Sequence, residues 1–168
     1  GGEISDMESV PCHDGSKLDL TTYPHSAGYE EIVMFVSDPN LPFAFSAVTI
    51  PSEGYVYFQL KNPRTLRQTL LWMSNGGRWY PPWNGRVHGL LGLEEVTSFF
   101  HYGKSASAGE NFINANGVPT SRQFSADESI SISLICGVVP VGAAFGRVRS
   151  IEPSGEGQIT IYGDGTEK

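Results

Sequence analysis

Twenty glycines and eleven prolines divide a chain of 168 residues into short pieces, nearly one residue in five. Average usage of the two together is about 12%. Neither residue is well tolerated inside a helix. Punctuation this dense excludes a helical bundle and leaves a chain of strands and turns.

The pieces between the breaks are enriched in β-branched and aromatic residues, as strands require. Expected strands are residues 17–23, 31–36, 43–50, 55–60, 66–73, 87–100, 129–138, 145–151 and 158–162. Each is closed by a turn signal such as Ser37-Asp38-Pro39-Asn40 or Ser74-Asn75-Gly76-Gly77. Over 129–138, Ser alternates with Ile and Leu, the period-2 pattern of a strand with one wet face. The one short helical stretch is expected near 109–114. Gly137 to Gly142 is read as a turn between strands. The fold class is all-β, an antiparallel β-sandwich, with an irregular lead-in over 1–16 and a single domain over 17–168.

Charged residues are only 17%, and the net charge is −7. Lys and Arg total 11 and form no run, so no electrostatic footprint for nucleic acid is present. No apolar run approaches the length that spans a bilayer. The chain opens with no basic segment leading into an apolar one, so a cytoplasmic location is expected. Cys12 and Cys136 are expected to be free thiols. No carboxylate spacing matches a calcium loop, no CxxC or HExxH occurs, and no metal is expected.

One segment stands apart. Residues 72–98 read WMSNGGRWYPPWNGRVHGLLGLEEVTS and hold all three tryptophans of the chain. Trp72, Trp79, Tyr80 and Trp83 are interleaved with Asn75, Arg78, Asn84 and Arg86. Aromatic rings left in water are costly, so the loop either buries them or covers a ligand. A pyranose suits the mixture: its apolar face stacks on an indole, and Arg and Asn satisfy its hydroxyls. The alternative is a loop that plugs the end of a sandwich.

Glu94 and Glu95 follow on a strand. Adjacent side chains alternate across a strand, so the two carboxylates face opposite sides. They are therefore no glycosidase pair, which needs both in one cleft. Glu94, flanked by Leu93 and Val96, is a candidate general base if partly desolvated. The alternative leaves one glutamate in water and the other paired with Arg78 or Arg86. His88 is a candidate ligand contact, six residues before Glu94. That even offset places both on one face about 20 Å apart, too far for direct cooperation.

The run Leu71-Trp72-Met73-Ser74-Asn75-Gly76-Gly77-Arg78, then Pro82-Trp83-Asn84-Gly85-Arg86, then Leu91-Gly92-Leu93-Glu94-Glu95, resembles the C-terminal half of galactose-mutarotase-like proteins, the aldose 1-epimerase superfamily. The flanks at 54–61, 118–120 and 125–129 agree with it, and the likeness extends over roughly 17–151. It implies part of a β-supersandwich that holds a small-molecule sugar in a concave cleft. It implies Glu94 as the base that removes the anomeric proton, with Trp83, Asn84 and Arg86 near the sugar and no cofactor. A histidine serves as acid in the family, upstream of the glutamate. His13 and His25 do not match its histidine motifs, and His101 after Phe99-Phe100 reads as structural. The chain is thus expected to be a shortened relative that self-associates through exposed sheet edges. The other function classes are a non-catalytic carbohydrate-binding module and a structural interaction domain.

Overall fold

The computed structural model describes residues 6–25 and 27–165. Its elements run β1 (Val10–Pro11), β2 (Lys17–Leu18), β3 (Tyr29–Val36), β4 (Ala44–Ile50), β5 (Tyr55–Lys61), β6 (Gln68–Asn75), β7 (Leu90–Val96), α1 (Lys104–Ala108), α2 (Phe112–Ala115), β8 (Leu134–Pro140), β9 (Val148–Gly155) and β10 (Gln158–Gly163). The protein is all-β with antiparallel pairing in the sheets β1-β2, β9-β10 and β4-β5-β8, and a further sheet in the order β3-β6-β7. Two compact units form: Gly1–Met34 with Leu70–Glu94, and Phe35–Thr69 with Glu95–Lys168.

The second unit is organised around β5. One face of this central strand carries Phe58 and Leu60, which pack with Ile151, Ile159 and Ile161 of the β9-β10 hairpin. The apolar layer between the two antiparallel sheets is the sandwich core. Its edge strand β8 lies so close to the Phe58 ring that a Cβ on Gly137 would stand 2.8 Å from Phe58 Cζ. The Phe58–Gly137 pair is directly opposed in register. A glycine facing an aromatic across the ladder is how the sheet accommodates that ring.

The alternate residues of β5 project away from Phe58 and Leu60 and are polar. The ammonium of Lys61 lies 2.5 Å from Glu95 Oε2, and each side chain is only 1% exposed. Lys61 also donates to Thr69 Oγ1 at 2.7 Å. Thr69 Oγ1 donates in turn to Glu95 Oε2 at 2.7 Å, and Ser46 Oγ donates to Glu95 Oε1 at 2.6 Å. Every charge in this buried cluster therefore has a partner, which is the condition for tolerating it. Burial nonetheless holds the Lys61 ammonium below the usual lysine range. The bond and charge of Glu95 oppose that shift, and the Arg67 charge adds to it.

Three expectations need correction. The Ser129–Ser133 stretch is not a strand, despite its alternation. Lys61 pairs with Leu134 at the last rung, and β5 ends there, so earlier residues have no partner strand. Gly137 is not in a turn, because β8 continues to Pro140, paired with Tyr55. Residues 19–23 leave the ladder after Leu18, where Asp19 accepts from both the amide and hydroxyl of Thr21 to form a local turn.

Among the described residues helix is confined to α1 and α2, on either side of Gly109 and Asn111. Asn111 caps α2, accepting from the amides of Ile113 and Asn114. Cys12 and Cys136 are free. Among the described residues no helix is long and apolar enough to cross a membrane.

Candidate functional site

The first unit carries the tryptophan-rich segment, and Glu30 on β3 organises it. Its carboxylate accepts from three donors. Trp72 Nε1 donates to Oε1 at 2.6 Å, Arg78 Nε meets the same oxygen at 2.7 Å, and Ser74 Oγ donates to Oε2 at 3.0 Å. Held there, the Arg78 guanidinium lies over two indoles, 4.5 Å from the Trp72 ring centre and 5.1 Å from that of Trp83. The two indoles meet edge-on, with centroids 6.4 Å apart. Charge-assisted bonds and cation–π contact together fix this stack. Tyr23 donates to the Ser74 carbonyl at 2.8 Å. Burial holds its phenol above the usual range, and the charges of Glu30 and Glu31 add to that.

Glycine makes these approaches possible. At Gly77 a Cβ would stand 2.4 Å from the backbone of Tyr29 and Glu30, so only glycine lets the loop pass β3 this closely. Gly76 lies in the left-handed region at φ 86, and its open side is filled by the His88 imidazole.

Gly92 on β7 bears most directly on ligand chemistry. A Cβ there would lie 3.4 Å from Trp72 Cβ and Cε3, and 3.6 Å from Glu94 Oε1. Gly92 therefore marks a strip of strand surface with the Trp72 side chain on one side and the Glu94 carboxylate on the other, a methyl's width from both. Glu94 is exposed, and its carboxylate makes no hydrogen bond or ion pair with the described residues. Such a carboxylate can accept a proton, or a hydrogen bond from a hydroxyl.

The residues singled out from the sequence divide into three sets. Glu94, Arg78 and Trp83 lie with or beside Trp72 in the arrangement just described. Asn75, Arg86 and His88 serve the loop itself. Asn75 Oδ1 accepts from the Gly89 amide at 3.0 Å, the Arg86 guanidinium bonds to the Pro82 carbonyl at 2.9 Å, and His88 packs on Gly76. Asn84 is an exposed turn residue at φ 48.

His88 and Glu94 do not share a strand face as expected. β7 begins at Leu90, after Gly89 turns the chain at φ 61, so strand alternation does not reach His88. The burial expected around Glu94 falls on Glu95, whose partner is Lys61 and not Arg78 or Arg86.

Two contributors were not legible as such. Glu30 lies 42 residues from the indole it anchors, and no local pattern marks it. Gly92 reads as an ordinary strand glycine until its neighbours across the sheet are known. Among the described residues no group of three His, Cys, Asp or Glu is arranged to hold a metal ion. No protein-family model, no curated protein and no solved structure matches the chain.

Proposed function

We propose that the first unit binds a sugar on the strip between Trp72 and Glu94, and that it acts as an aldose 1-epimerase-like isomerase with Glu94 as the base. The observation that carries this reading is the unpaired Glu94 carboxylate facing Trp72 across Gly92. The resemblance of 71–98 to galactose-mutarotase-like proteins supports it from the sequence side. In mutarotation, Glu94 takes the proton of the anomeric hydroxyl. The bond from the anomeric carbon to the ring oxygen breaks as the ring oxygen takes a proton from solvent water, and the opened aldehyde recloses on its other face, the ring hydroxyl giving its proton back to solvent and Glu94 returning its own to the new anomeric oxygen. Neither cofactor nor net redox change enters. A cytoplasmic setting and self-association at the β8 edge belong to the same proposal. Leu134, Ile135 and Val138 are 46%, 61% and 58% exposed along that strand, which pairs on one side only.

The test is polarimetry of freshly dissolved α-aldoses, with sugar binding followed by calorimetry. A separating variant is Gly92→Ala. Its methyl makes ordinary contacts in the fold and relieves the conformational freedom of a strand glycine, so stability is unchanged or up by about 0.5–1 kcal/mol. The same methyl occupies the strip, so sugar affinity falls about tenfold or more, equivalent to about 1.4 kcal/mol. Loss of stability with intact binding would place the ligand elsewhere. Saturable binding by wild type without accelerated mutarotation would instead leave a non-catalytic binding module, and absence of both rejects the sugar reading.

A further inference from the structure

Trp79 is the one indole left mostly in water, 69% exposed, and the next residue, Tyr80, is 59% exposed. Its position is not that of a floppy surface ring. The six-membered ring lies against Gly85, where a Cβ would stand 2.7 Å from Cε3 and Cζ3, and its Cζ2 approaches Gly28. Both glycines are in the left-handed region, at φ 65 and 85. The loop beneath is closed by its own backbone: Gly85 N donates to the Arg78 carbonyl at 2.7 Å, and the amides of Trp83 and Asn84 both donate to the Tyr80 carbonyl at 3.0 Å. A large apolar ring is thus presented to solvent on a seat that is already formed, which lowers the ordering cost of binding.

The surrounding chemistry narrows what this ring receives. The Tyr80 hydroxyl and the Asn84 amide make no hydrogen bond with other described residues, so the loop that seats the indole also carries neutral donors and acceptors. Both guanidiniums of the loop are engaged within it. Arg78 is held on Glu30, and Arg86 bonds to the carbonyls of Pro82 and Trp83. Each guanidinium of the loop thus already has an acceptor, a carboxylate for Arg78 and carbonyls for the exposed Arg86. A flat apolar face on a loop with unpartnered neutral hydrogen-bonding groups, its guanidiniums already engaged, fits an uncharged pyranose.

Resting on the sugar-binding reading above, we propose that Trp79 is a second stacking platform and that the ligand of this unit is a neutral oligosaccharide, not a lone monosaccharide. The strip at Gly92 takes one sugar, and Trp79 takes another residue of the same chain.

The test begins with the full chain on an array of neutral, sialylated and sulfated glycans. Calorimetry follows, with the best neutral oligosaccharide, its shorter homologues and its constituent monosaccharide. The expected result is tighter binding with chain length. Trp79→Ala removes that gain, about tenfold, leaves monosaccharide affinity unchanged, and is partly rescued by Trp79→Phe. Equal affinity for monosaccharide and oligosaccharide, or an unaffected Trp79→Ala, overturns the second platform and leaves the sugar reading standing. Preference for anionic glycans also overturns it. A Trp79 emission shift with phosphatidylcholine vesicles and none with glycans makes the ring a membrane contact and overturns it. No binding to any sugar removes the Gly92 site along with it.

Discussion

Glu94→Gln is expected to slow catalysed anomer interconversion by about 10²–10⁴-fold, the usual contribution of a positioned general base. The substitution keeps the shape and hydrogen-bonding reach of the side chain and removes only its ability to take a proton. Glu94 is exposed and its carboxylate has no partner among the described residues, so the change disturbs no bond in the fold. The melting temperature should therefore stay where it is, and sugar affinity should change far less than turnover. The measurement is polarimetry of a fresh aldose, corrected for the spontaneous rate, beside calorimetric binding of the same sugar. A fall in turnover matched by an equal fall in binding makes Glu94 a ligand contact and not the base. Undiminished turnover removes Glu94 from the chemistry altogether. Glu95→Gln is the contrasting variant, since Glu95 lies in the buried cluster with Lys61: it should cost stability, and its loss of activity should track unfolding.

Much of the fold was legible because strand signals are local. Tyr55–Lys61 and Ala44–Ile50 agree with the expected 55–60 and 43–50 to within a residue at each end. Val56, Phe58 and Leu60 recur at every second position, and the breaks at Pro51 and at Asn62-Pro63 are unambiguous. The failures were at places where a partner decides the outcome. The Ser-Ile alternation before Leu134 is as good a strand pattern as any in the chain, but β5 offers it no further rung. Gly137 has the look of a turn glycine and is in fact the seat of the Phe58 ring. The site divides in the same way. The tryptophan loop stood out by composition, and the opposed facing of Glu94 and Glu95 followed from strand alternation. Which glutamate was buried did not follow, because that depended on Lys61, Thr69 and Ser46 from three separate strands. Glu30 had no local signature for the same reason.

Lys61→Met is expected to destabilise the second unit by about 3–5 kcal/mol, the cost of leaving one member of a buried ion pair uncompensated. Loss of this lysine strands the Glu95 carboxylate in an interior where its side chain is 1% exposed, with only Thr69 and Ser46 still donating. For a chain of this size each kcal/mol lowers the melting temperature by about 2–4 °C, so the variant should melt roughly 6–20 °C below wild type. The double variant Lys61→Met/Glu95→Leu should recover most or all of that loss, because two apolar groups of similar volume leave no charge to solvate. The depressed Lys61 pKa points the same way. Its folded value lies below its ordinary 10.5, so between the two the unfolded chain binds more protons, and stability rises with pH across that window. At neutral pH the ammonium is therefore carried at a cost that Glu95 reduces and does not abolish. Thermal melts of the single and double variants, taken at neutral pH and again toward pH 10, decide the matter. A double variant no more stable than Lys61→Met would show that the geometry of the cluster, with Thr69 and Ser46 as its fixed donors, matters more than the neutrality of the interior. An alkaline gain in wild type that vanishes in both variants would assign the pH dependence to this one ammonium.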